Sequence, residues 1–124
     1  MKKYLLLVIS ILVMTLSSCG NTSEKIVILT SSGYEPYEMV DTDGNLTGFD
    51  IEFGEALAEE LGVQIKWEDM DFDGIIASLN STRGDLAIAA ISPDPERNAI
   101  FSDSYYVGDE ESPFFVLTSK DSGI

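Results

Sequence analysis

Apolar positions along this chain fall into short unbroken runs that alternate with segments of helical spacing. Residues 26–29 (Ile-Val-Ile-Leu) form such a run before Thr30-Ser31-Ser32-Gly33, the pattern of a strand buried on both faces that ends in a loop. Residues 37–40 and 45–47 flank Asp41-Thr42-Asp43-Gly44, and Asp-Gly between β-prone residues predicts a hairpin turn. Asp50 stands where a helix N-cap belongs, with Glu52 and Glu55 favoured in the first turns by the helix dipole. Ile51, Leu57, Ala58 and Leu61 then recur at helical spacing, and Gly62 supplies the stop. Residues 63–67 alternate as a strand does, and 73–79 predict a short helix presenting Ile75, Ile76 and Leu79. Residues 85–91 read as a second apolar strand, 93–99 as a helix opened by proline and acid residues, and 114–118 as a last strand. Strands alternating with helices predict an α/β domain whose sheet is mainly parallel and flanked by helices. Ligands in such sheets sit at the carboxyl ends of the strands. Three loops fall there together: 31–34, 69–72 and 90–92.

The N-terminus has a different pattern. Lys2 and Lys3 precede an apolar stretch, 4–16, broken only by Ser10 and Thr15. It is too short for a membrane span and fits a signal-peptide core. Leu16-Ser17-Ser18-Cys19 closes it and resembles a bacterial lipobox, which implies cleavage before Cys19 and a diacylglyceryl group on that thiol, often with an added N-acyl chain. Cys19 is the single cysteine of the 124 residues. One acyl chain alone anchors only marginally, so two or more are needed for stable attachment.

Charge narrows the partners. Without Lys2 and Lys3, 5 basic residues face 22 acidic ones, a net charge of −17. Phosphate backbones and anionic lipid surfaces are repelled by such a body, which excludes nucleic acid and peripheral lipid docking. There is no histidine, so the usual neutral-pH acid/base is absent, and no Cys/His cluster suggests a metal; no cofactor is implied. Asp41-x-Asp43-x-Asn45 with Glu52 imitates a calcium loop, but Gly44 is at the fourth position rather than the sixth, and a hairpin accounts for it better. In Arg83-Gly84-Asp85 the glycine punctuates a helix-to-strand turn.

The segment Ala87-Ile88-Ala89-Ala90-Ile91-Ser92-Pro93-Asp94-Pro95-Glu96-Arg97 carries the candidate chemistry. A strand end brings backbone groups and Ser92 to one point, and the turn that follows lets Arg97 return to it. A guanidinium fork beside a hydroxyl and free N–H groups suits bidentate capture of a carboxylate. A corner bearing a surface arginine is the alternative. Tyr34 and Phe72, in loops beside glycine, read equally as packing residues or as flat walls for a ligand.

Five segments then resemble one family. They are Gly33-Tyr34-Glu35-Pro36-Tyr37-Glu38, Leu46-Thr47-Gly48-Phe49-Asp50-Ile51-Glu52, Met70-Asp71-Phe72-Asp73-Gly74-Ile75-Ile76, residues 92–97, and Phe101-Ser102-Asp103-Ser104-Tyr105-Tyr106. In order and spacing the chain resembles the substrate-binding proteins of polar amino-acid ABC importers, the bacterial extracellular solute-binding proteins of family 3. The resemblance implies two α/β lobes joined by hinge strands, with the ligand clamped between them. It divides the chain into a lipoprotein signal (1–18), lipidated Cys19 and tether (19–25), lobe one (26–112), and a hinge strand with the start of a truncated second lobe (113–124). The rest of lobe two would be missing, and strand 114–117 would be left as an unpaired edge. An isolated lobe would leave half the ligand in water and bind at about millimolar strength or weaker.

The site residues come by the same resemblance. Arg97 corresponds to the arginine that grips the ligand's α-carboxylate, and Ser92 to the residue adding a hydroxyl and an N–H. Ala90 falls where a carbonyl takes the α-ammonium, and Phe72 and Tyr34 match the aromatic walls. Ser31 stands where relatives binding basic ligands often carry Asp, which speaks against lysine or arginine. The implied protein is a monomeric, lipid-anchored, extracytoplasmic component, on the periplasmic or outer face, that delivers an amino acid to an ABC permease and is not an enzyme. Two alternatives remain: a dehydratase-like enzyme on the same fold, needing a general acid, and the ligand-sensing input domain of a receptor.

Overall fold

The computed structural model describes residues 25–106 and 114–121. The signal segment, Cys19 and the tether up to residue 24 lie outside the described residues. The elements are β1 (Lys25–Thr30), β2 (Met39–Val40), β3 (Leu46–Thr47), α1 (Phe49–Leu61), β4 (Gln64–Asp69), a 3-10 turn at Phe72–Gly74 leading into α2 (Ile75–Asn80), β5 (Leu86–Ala87), β6 (Ile100–Tyr106) and β7 (Phe114–Thr118).

Five strands form the main sheet in the order β4-β1-β5-β7-β6. β1 lies parallel to β4 from Lys25↔Gln64 to Thr30↔Asp69, and parallel to β5 at Ile28↔Leu86 and Leu29↔Ala87. β7 joins β5 antiparallel at Ala87↔Leu117, and β6 pairs antiparallel with β7 with two shifts of register. The domain is therefore mixed α/β, with a parallel centre and an antiparallel ribbon on one side. The hairpin of β2 and β3 stands apart, held at its turn by Asp41, whose carboxylate accepts from the N–H groups of Asp43 and Asn45 at 2.9 and 2.8 Å.

The two-faced burial of β1 explains its unbroken apolar run. Leu29 faces Ile75 and Leu79 of α2, together with Ala87, Ile91 and Leu117. Ile26 and Ile28 face the other side, beneath Leu57, Ala58 and Leu61 of α1. Each fully buried Leu or Ile contributes about 1.5–3 kcal/mol of hydrophobic stabilisation.

Five sequence expectations differ from this fold, the fifth at the start of α1. Strand 85–91 keeps ladder pairing only at Leu86–Ala87, because the chain turns at Ala90, whose φ is 47°. Residues 93–99 form turns, not a helix: Pro93 and Pro95 remove two amide donors, and the Asp94 carboxylate takes the Glu96 N–H at 2.9 Å in place of a helical bond. β6 was not anticipated as a strand, since Ser102, Asp103 and Ser104 break its alternation at a sheet edge. β7 is not an unpaired edge, for it lies between β5 and β6.

The start of α1 sets up the site. Its cap is Gly48 at φ 123°, with no side-chain cap, so Asp50 is not the N-cap. The Phe49 and Asp50 N–H groups donate to the carbonyls of Pro36 and Tyr37 at 3.1 and 2.9 Å, which ties loop 34–38 to the helix. A Cβ on Gly48 would collide with the Tyr37 carbonyl. Replacing Gly48 with Ala combines that collision with a strained φ and is expected to lower stability by about 1–3 kcal/mol, read as a shift of the urea midpoint at constant slope.

Candidate functional site

The loops after β1, β4 and β5 end at one side of the sheet and enclose a cleft of about 440 Å³. Ser31, Tyr34, Phe72, Ala90 and Ser92 all line it. Arg97 lines an adjoining pocket of about 160 Å³, shared with Phe72. Its guanidinium carbon lies 5.5 Å from the centre of the Phe72 ring, and Nη1 donates to the Ser92 carbonyl at 3.3 Å. The six residues singled out in the sequence thus line two neighbouring hollows that share Phe72 as a wall, with Arg97 bonded across to the Ser92 carbonyl.

The walls are shaped by short polar links. After β1, the Ser32 N–H and hydroxyl both donate to the Asp69 carboxylate at the end of β4, at 2.7 and 2.6 Å. The Gly33 and Tyr34 N–H groups both donate to the Glu38 carbonyl at 2.9 Å, closing the loop that presents Tyr34. Tyr34 stacks on Tyr37 at 5.4 Å and remains 55% exposed; Phe72 is 42% exposed. Neither belongs to the core, which decides against the packing alternative for both.

The floor holds residues that the sequence did not reveal. Glu38 is 1% exposed and lines the cleft. Asp50, fully buried, accepts from the Ala90 N–H at 2.6 Å and from the Tyr105 hydroxyl at 2.9 Å through the same oxygen. Glu38 Oε2 and Asp50 Oδ1 are buried and take no bond from an N–H or hydroxyl group; the two carboxyl groups meet each other. Burial first, and then the neighbouring Asp50, push the Glu38 carboxyl up from 4.5 to about 8. Burial also raises Asp50, opposed by the donors at Ala90 and Tyr105, while burial and Asp50 push the Tyr105 hydroxyl upward. Near neutral pH, then, Glu38 keeps its proton and donates it to Asp50. Phe114, the first residue of β7, closes the cleft from the ribbon side, 4.8 Å from the Tyr37 ring and 5.2 Å from Tyr106.

An acid set among Tyr37 and Met39 in a strand-like stretch was the available signal for Glu38, and it was absorbed into the hairpin. Asp50 carried a stronger one that pointed elsewhere, because an acid in a first helical turn is explained by the dipole alone. Among the described residues no group of three or more His, Cys, Asp or Glu could hold a metal, and no helix is long and apolar enough to cross a membrane.

Comparison with known proteins gives a consistent picture. A family model described as bacterial extracellular solute-binding proteins, family 3, matches residues 26–124. An arginine-binding extracellular protein, ArtP, of Bacillus subtilis is 37% identical over 134 residues, covering 100% of this chain and 51% of that protein. The arginine-bound form of domain 1 from TmArgBP is 33% identical with a TM-score of 0.73, over 77% of this chain and 80% of that one. An ancestral cyclohexadienyl dehydratase is 32% identical with a TM-score of 0.63, over 66% of this chain and 35% of that one. The chain spans about half or less of the length of the curated relatives it matches.

The raised Glu38 carboxyl makes stability depend on pH with a definite sign. The folded state binds more protons than the unfolded one between 4.5 and about 8. The stabilisation from protonated Glu38 is therefore complete below the lower value and lost as pH rises through the upper one. Thermal unfolding followed across that window is expected to show a falling midpoint, and Glu38→Gln is expected to flatten the fall.

Proposed function

Because this chain belongs to the bacterial extracellular solute-binding proteins of family 3, we propose that it supplies the first lobe of an amino-acid-binding component of an ABC importer, held outside the cell membrane by lipid on Cys19. The observation that carries this reading is the meeting of Ser31, Tyr34, Phe72, Ala90 and Ser92 around one cleft, with Arg97 against two of them. The α-carboxylate rests on the Ser92 hydroxyl, where the guanidinium that already bonds the Ser92 carbonyl supplies the charge. The Ala90 carbonyl takes the α-ammonium. Phe72 and Tyr34 take the side chain on their exposed faces, which suits an aliphatic stem or a cation. Ser31 borders the same space without charge.

Transport follows from closure of two lobes on the ligand, driven by its higher affinity for the closed form. An arginine-bound single domain of one relative supports testing this chain directly. In the full-length, two-lobed protein, Arg97→Ala is expected to weaken amino-acid binding by about 2–5 kcal/mol, because it leaves the ligand carboxylate unpaired. Calorimetric titration with L-arginine and neutral amino acids reads this, and unchanged affinity would sink the assignment. Cys19→Ser is expected to move the expressed protein from the membrane fraction to the medium or periplasm, with loss of the lipid increment from its intact mass.

One observation keeps a second reading. A dehydratase on this fold needs a general acid that is protonated near neutral pH, and Glu38 lines the cleft in that state. Incubation with a cyclohexadienyl carboxylic acid, followed by ultraviolet detection of an aromatic product, tests it; no turnover removes it.

A further inference from the structure

We propose that the outer edge of β4 is a self-association surface: a second copy of this chain adds its own β4 antiparallel to it, about a two-fold axis at Trp67, and joins the two five-stranded sheets into one. The proposal is independent of the amino-acid reading of the cleft, which lies at the strand ends.

β4 and β6 are the outer strands of the main sheet. β6 is blunted by its two shifts of register, which bend an edge away from further pairing. β4 keeps unbroken register with β1 over six residues and contains no proline. Among the described residues no strand pairs with its other side. The Met70 N–H donates to the Thr30 carbonyl at 3.0 Å, and this fixes the phase of the ladder. Even-numbered residues of β4 turn their N–H and C=O groups toward β1, and Ile65, Trp67 and Asp69 turn theirs outward. Such a row of backbone groups is a template for an added strand.

Charge and register select a second copy as the occupant. In an antiparallel pair centred on Trp67, Trp67 faces its counterpart and Ile65 faces Asp69 of the other copy. Every outward residue then meets an outward residue, and each such pair exchanges two backbone bonds. Between them, Lys66 of each copy faces Glu68 of the other, so the strand is complementary to itself. The Lys66 side chain is 61% exposed. Glu68 is also held by Arg83, at 2.6 Å. Centring the pair on Lys66 or on Glu68 would keep backbone bonds but set like charges directly opposite, which is destabilising. The surrounding charge favours the same edge. Three of the five basic residues after Lys3 lie on β4 or beside it: Lys66 itself, Lys25 across the ladder from Gln64, and Arg83 on Glu68. Two strongly acidic bodies approaching by this edge therefore meet less repulsion.

The test is sedimentation equilibrium of the protein carrying Cys19→Ser, which leaves no other cysteine, at an ionic strength of about 0.15 M. A reversible monomer–dimer equilibrium that goes no further is the expected result, because a two-fold seam closes on itself. Lys66→Glu sets glutamates opposite each other twice and should raise the dimer dissociation constant about tenfold or more, with the thermal midpoint of the monomer unchanged. The register is read by disulfide formation. Lys66→Cys mixed with Glu68→Cys should cross-link under mild oxidation, since those positions face each other with Cα atoms about 4.5 Å apart. Either variant alone should cross-link poorly, its like positions being diagonal at about 7–8 Å. Monomer at every concentration up to about 1 mM, open-ended assembly, or a dimer indifferent to Lys66→Glu would each overturn the proposal. So would cross-linking of the separate variants as fast as of the mixture. None of these outcomes bears on amino-acid binding.

Discussion

The buried Asp50 carboxylate is the point from which the rest of the site is organised. It sits in the first turn of α1, and one oxygen accepts both the Ala90 N–H at 2.6 Å and the Tyr105 hydroxyl at 2.9 Å. Those two bonds join segments 40 and 55 residues away in sequence, and Glu38 reaches the same carboxyl group. An isolated buried charge costs several kcal/mol or more unless it is hydrogen-bonded. The helix start, the strand-end turn and the edge strand must therefore hold their positions together or expose the group. The turn at Ala90 shows the consequence. A non-glycine residue stays at φ 47°, where backbone strain costs about 1–3 kcal/mol, because its N–H is fixed to Asp50.

That constraint also separates a rigid floor from an open wall. The floor is made of parallel strand ends, Ala89 buried beneath it, and the carboxyl pair. The wall is Tyr34 and Phe72, more than two-fifths exposed and held by loop bonds rather than by packing. Aromatic faces left in water are costly to a finished core but suit a surface that another group will cover. The ribbon of β6 and β7 joins the parallel strands through one registered pair, Ala87↔Leu117, with Phe101 and Phe115 packed on the core. The same ribbon carries Tyr105 and Phe114, so its placement bears on both the Asp50 bonds and the mouth of the cleft.

The parts of this arrangement that could be read from the chain are those fixed by local periodicity. The apolar run of β1, the hairpin at Asp41–Gly44 and the helical stripe of α1 each follow from their own residues. The meeting of Ser31, Phe72 and Ser92 followed from topology, since parallel strands place their following loops on one side. The errors share a cause in long-range contacts. Residues 93–99 have helix-opening composition, yet two prolines and an Asx bond prevail; β6 has no clean alternation, yet β7 recruits it as an edge. Asp50 has a sufficient local explanation as a cap, and the partners that give it another role lie at positions 38, 90 and 105. No window of sequence contains them all.

The location of negative charge in the cleft changes what selectivity means for it. An aspartate at position 31 would sit at a loop surface, ionised at all ordinary pH values, and would attract cations without conditions. Serine stands there, and the acid comes instead from Glu38, beneath the surface and beside a second carboxyl. Desolvation and the neighbouring Asp50 hold that carboxyl protonated near neutral pH. The floor beneath Tyr34 and Phe72 is therefore acidic in composition, yet its charge is shared within a buried pair rather than presented to the cleft. The acids serve first to tie loop 34–38, the start of α1 and the turn at Ala90 to one another.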